Sequence, residues 1–89
     1  MSKFKTQTEK ILEAIPRTEV CSFGEFCQAY SDTPEKGDKA GWGKLLSAID
    51  NLAGMEQLIE VDREGGLIAY MRLTTDGAAE LKRLQQQAF

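Results

Sequence analysis

Histidine is absent from the 89 residues, and with it go the commonest general base, the commonest metal ligand and any Ser-His or Cys-His nucleophile pair. The two cysteines, Cys21 and Cys27, match no CxxC or zinc-ligand spacing, and without histidine partners they cannot complete a four-ligand site within one chain. They are expected to be reduced, buried small hydrophobes, and neither an enzymatic activity nor a metal or cofactor is expected. The leading MSKFKTQTEK has no apolar signal segment, so a reducing cytoplasmic setting is the expectation. What remains for this chain is non-covalent recognition.

The bulk properties suit one folded domain over residues 1–89. Apolar residues make up 42% and charged residues 28%, which excludes a disordered tail or a fibrous repeat. The longest apolar run, Leu67 to Met71, is far too short to span a membrane. Eleven basic residues stand against 14 acidic ones, a net charge of −3, whereas a domain built only to coat phosphate backbone leans the other way.

Patterning supplies the elements that would position any recognition surface. A helical stripe of Phe4, Thr8, Ile11, Leu12 and Ile15 predicts a first helix over Lys3 to Ile15, ended by Pro16. Thr18 to Ser22 suits a short strand. Ser22-Phe23-Gly24-Glu25 has the S-x-x-E form of a capping box and opens a second helix, with Phe23, Phe26, Cys27 and Tyr30 on its apolar face and Ser31 to Pro34 ending it. The third helix is expected to start at Asp38, with Thr33-Pro34 as an alternative. It runs through Trp42, Leu45, Leu46, Ile49, Leu52 and Ala53 to Gly54, read as its C′ glycine. Leu58 to Val61 and Leu67 to Arg72 flank Asp62 to Gly66 and form a β-hairpin. Thr74 or Thr75 caps a last helix with Asp76 in its first turn, Lys82 and Arg83 toward its end, and Leu81, Leu84 and Ala88 as its seam.

This α+β order (α-β-α-α-β-β-α) resembles a small winged helix-turn-helix domain with a two-stranded wing. The resemblance is carried by the third helix running into LIEVDREGGLIAYMRL and by Leu73-Thr74-Thr75-Asp76-Gly77, which is similar to the L-T-x-x-G segment after the wing in MarR-like and PadR-like regulators. It implies a small transcriptional regulator that binds double-stranded DNA, with the third helix in the major groove and the wing tip on the backbone or minor groove. On this sequence the implied contacts are Lys39, Gly43, Lys44, Ser47 and Asn51 on the helix and Arg63 on the wing. Asn51 suits adenine and Ser47 suits either strand. Leu81, Leu84 and Ala88 either form a homodimer interface or close over the first helix.

Charge favours a second reading, an acidic winged-helix module that contacts another protein instead of DNA. Residues 18–38 sum to −4, residues 39–57 to zero and residues 1–17 to +2. Opposite the apolar stripe, the third helix presents Ala40, Gly43, Ser47, Asp50, Asn51 and Gly54, a small-residue face open to groove walls, to a partner's helix or to plain solvent. Trp42 reads as a core residue or as an exposed anchor, and Arg63, between Asp62 and Glu64, as a phosphate contact or an ordinary turn residue.

Overall fold

The computed structural model describes residues 5–86. Its elements are α1 (Gln7–Glu13), β1 (Cys21–Ser22), α2 (Phe23–Ala29), α3 (Lys39–Gly54), β2 (Ile59–Glu64), β3 (Leu67–Leu73) and α4 (Thr75–Gln86). The order is the one expected from patterning: a small α+β fold with four helices and a three-stranded antiparallel sheet of order β1-β3-β2. One face of the sheet packs on the helices. The core joins Ile11, Leu12 and Ile15 to Phe26 and Tyr30 of the α2 segment, Leu45, Ile49 and Leu52 of α3, Ile59, Met71 and Leu73 of the sheet, and Leu81 of α4.

α1 is shorter than the expected 3–15. Lys3 and Phe4 lie outside the described residues, and Thr6 caps the helix by accepting the Glu9 N–H at 3.2 Å. Thr6-Gln7-Thr8-Glu9 is thus the same T/S-x-x-E signature that opens α2. At the other end, the Ala14 and Ile15 N–H groups bond back to Ile11 O and Leu12 O in a tightened turn, because the residue before Pro16 is pushed out of the helical region.

The α2 capping box is complete. Ser22 Oγ accepts from the Glu25 N–H at 3.1 Å, and Glu25 Oε1 accepts from the Ser22 N–H at 2.9 Å. The Thr33 hydroxyl is shared between the Cys27 and Tyr30 carbonyls, which lack helical partners at the end of α2. Phe26 stacks on Tyr30 with ring centroids 5.4 Å apart and on Phe23 at 6.0 Å. Phe23 in turn meets Trp42 of α3 at 6.4 Å.

Leu46, outside the apolar stripe of α3, is 38% exposed. Two expectations for the second half need correction. Gly54 is not the C′ residue: the helix includes it, and the left-handed residue that turns the chain is Gln57 (φ 55°), which lets the Leu58 N–H reach Leu52 O at 2.9 Å. The hairpin turn is only Gly65-Gly66, both at positive φ as a type I′ turn requires, so Asp62, Arg63 and Glu64 belong to β2. A bulge between Asp62 and Arg63 leaves Ala69 without a cross-strand partner, and Arg63 pairs with Ile68.

α4 is seated on the chain that leaves α3. Thr74 is its cap, accepting the Gly77 N–H at 2.9 Å. Thr74 also donates its hydroxyl to Gln57 O at 2.7 Å and its backbone N–H to Leu58 O at 3.1 Å. A Cβ on Gly77 would lie 1.8 Å from Leu58 O, so only glycine permits this approach.

Candidate nucleic-acid interface

α3 begins on a turn that its own tryptophan holds. The Trp42 indole N–H donates to Glu35 O at 3.0 Å, the Asp38 N–H bonds to Glu35 O at 3.0 Å, and Gly37 takes φ 99°. Asp38 Oδ1 then accepts the Gly41 N–H at 3.0 Å and caps the helix, as expected. A Cβ on Gly41 would sit 2.4 Å from the Asp38 carboxylate, so a larger residue there would have to displace the capping side chain. Trp42 is half-buried, bonded inward and packed on the core, which leaves it no role as a free anchor.

Lys39, Gly43, Lys44, Ser47 and Asn51 are all exposed, together with Ala40, Asp50 and Gly54. The side chains of Ser47 and Asn51 make no hydrogen bond among the described residues, so their polar groups are open to a ligand. Gly43 differs from Gly41 and Gly77, because a Cβ on it would meet nothing within 4 Å. Alanine there would favour the helix by about 1 kcal/mol, so no contact within the chain accounts for the glycine.

Arg63 is also exposed, but it forms an ion pair with Asp50 of α3. Alternation along β2 puts it on the side of Ile59 and Val61, and the bulge, whose extra residue Ala69 is on β3, brings half-buried Ile68 opposite it. This contact ties β2 to α3 and cancels the acid on the candidate face. It also leaves Asp62 and Glu64 as the charges near the hairpin tip.

The other cations divide into two groups. Lys5 pairs with Glu13, Lys10 with Asp32, Arg72 with Glu60 and Arg83 with Glu80, the last through a two-point fork of 2.7 and 2.6 Å. Five have no acidic partner among the described residues: Arg17, which donates to Gln85 Oε1 at 3.1 Å, Lys82 of α4, and Lys36, Lys39 and Lys44. The last three stand together in the turn before α3 and in its N-terminal half. Lys36 was missing from the sequence-derived set because it is the lone base of an acidic segment. Its signal was its place one turn ahead of the Asp38 cap.

The remaining sequence candidates lie elsewhere. Leu81 is 2% exposed and belongs to the core, Leu84 packs partly buried against it, and Ala88 lies outside the described residues. Cys21 and Cys27 are free thiols; Cys21 is buried as expected, whereas Cys27 is only half-buried, packed at the edge of the core. Burial pushes both thiol pKa values up, helped at Cys21 by the nearby Glu25 charge, so both stay protonated and poorly nucleophilic. Among the described residues no group of three potential ligands is placed to hold a metal, and no helix is long and apolar enough to cross a membrane.

Protein-family models, curated proteins and solved structures give no match to this chain.

Proposed function

We propose that this protein is a small winged-helix DNA-binding regulator that reads duplex DNA with the exposed face of α3. Element order, the hairpin directly after α3, and Thr74 and Gly77 of the L-T-x-x-G segment seated on Gln57 and Leu58 support the fold assignment. The observation that carries the function is the clustering of three of the five unpaired cations, Lys36, Lys39 and Lys44, beside the free polar groups of Ser47 and Asn51. A recognition helix places its N-terminal residues against base edges, and this half of α3 holds the cations. On this surface Asp50 is held by Arg63, and Lys36, Lys39 and Lys44 outnumber the carboxylates of Glu35 and Asp38 by one, against −3 for the whole chain. Contact is assigned to α3 and not to the hairpin, whose tip presents Asp62 and Glu64.

A salt titration of binding to mixed-sequence duplex tests this reading. Three phosphate contacts give a slope of log K against log salt of roughly −2.7 per chain, and Lys39→Ala with Lys44→Ala should reduce its magnitude by about 1.8. Asn51→Ala should lower discrimination between sites by about 1 to 3 kcal/mol and leave nonspecific affinity nearly unchanged. Absence of duplex binding at low salt, where electrostatic attraction is strongest, would sink the proposal and favour a protein partner on the same face.

A further inference from the structure

Five large hydrophobic side chains stand exposed among the described residues, and three of them lie on the face of the sheet turned away from the helices: Val20, Leu67 and Tyr70, at 53%, 75% and 48% exposure. The register fixes this placement. Tyr70 is opposite Ser22 on one side and Asp62 on the other, and Leu67 is opposite Glu64. Val20 precedes buried Cys21 and alternates onto the same side. Beside this apolar strip runs edge strand β2, with Glu60, Asp62 and Glu64 facing the same way. Arg72 is the cation of the strands there, and Glu60 already holds it at 2.8 and 2.9 Å while Asp62 adds its field; Arg17, which lines a small hollow with Val20 and Arg72, is matched in charge by Glu19 of the same hollow. Asp62 and Glu64 therefore remain in excess. A nucleic acid would be repelled, and a second copy of the same face would set carboxylates against carboxylates.

We propose that this sheet face docks a basic, extended segment of a partner protein. Its apolar side chains lie on Val20, Tyr70 and Leu67, and its cations meet Asp62 and Glu64. Residues i, i+2 and i+4 of an extended chain share a face, so apolar and basic residues taking turns at every second position meet the strands beneath together. The surface is distinct from the exposed face of α3, so the two proposals stand or fall separately.

The test is a titration of the full chain, followed by amide chemical shifts, with a synthetic peptide of repeating Val-Ser-Lys-Ser, which sets valine and lysine on one face of an extended chain, and the same repeat with glutamate in place of lysine as the comparison probe. The lysine peptide should shift Ser22, Leu67, Tyr70 and their neighbours and leave Ser47 and Asn51 in place. Asp62→Lys with Glu64→Lys should weaken it by about fivefold or more. Tyr70→Ala should weaken it too, while Tyr70→Phe should bind like the unaltered chain; both side chains are exposed enough to leave the fold intact, which circular dichroism verifies. The proposal is overturned if neither peptide binds, if both bind equally, if the shifts fall on α3, if charge reversal changes nothing, or if the face instead mediates self-association.

Discussion

Glycine to alanine at two helical positions should change stability in opposite directions. At Gly77, the new methyl would lie 1.8 Å from Leu58 O and 2.8 Å from Leu58 C, both backbone atoms that no rotamer change can move. The first turn of α4 must retreat by roughly 1.5 Å to restore ordinary contact. That retreat breaks the Thr74 bonds to Gln57 O and Leu58 O, worth about 1 kcal/mol each. Overpacking strain adds about 1 to 3 kcal/mol, and better helix propensity returns about 1, so Gly77→Ala should cost about 2 to 4 kcal/mol. At Gly43 the methyl enters open space, and only the propensity gain of about 0.5 to 1 kcal/mol remains. For a domain of this size the melting temperature should fall by roughly 10 to 30 °C in Gly77→Ala and rise by roughly 2 to 8 °C in Gly43→Ala. Thermal unfolding followed by circular dichroism measures both. A Gly77→Ala protein that melts with the unaltered chain would refute the close seating of α4 on Leu58. A Gly43→Ala protein less stable than its parent would refute the open face of α3.

Three further outcomes follow from the packing and the charges. Leu45→Ala and Ile49→Ala should each cost about 2 to 4 kcal/mol in urea unfolding, against under about 0.5 kcal/mol for exposed Ser47→Ala; the reverse ranking would rotate α3. Asp50→Ala should free Arg63 and strengthen duplex binding, whereas Arg63→Ala should expose the Asp50 charge and weaken it; equal effects in a filter-binding or anisotropy assay would mean the pair does not border the interface. Both thiol pKa values are raised by folding, so their contribution to stability is whole below the unfolded value of about 8.5 and declines as pH rises above it. Unfolding midpoints between neutral and mildly alkaline pH should fall accordingly, and less so in Cys21→Ala.

Features written in local chemistry were legible in the sequence. The Ser22–Glu25 box, the Asp38 cap, the Gly65-Gly66 turn and the buried stripe of α3 each depend on a few neighbouring residues, and each occurs where patterning puts it. Thr6–Glu9 is equally local, and an overlong apolar stripe reaching back to Phe4 hid it. Other features needed distant partners. Gln57 takes a left-handed conformation without being glycine, because the turn lets the Leu58 N–H return to Leu52 O. The charged stretch Asp62 to Glu64 reads as loop, yet pairing with β3 makes it strand, and strand alternation then carries Arg63 to the side of Ile59 and Val61, where it meets Asp50. Of the candidate contacts, those on α3 follow from helical periodicity alone, while the fate of Arg63 required the sheet.

Trp42 gives the molecule an internal spectroscopic probe. It is the sole tryptophan, and its indole bridges the first turn of α3 to Glu35 O in the turn that carries Lys36. Its emission therefore reports whether that turn stays docked, separately from the two tyrosines, of which Tyr30 is buried in the core and Tyr70 lies on the far side of the sheet. A ligand that settles on the start of α3 perturbs the indole, and one that lies across the strands does not. Unlabelled protein can thus distinguish occupancy of its two surfaces by fluorescence alone.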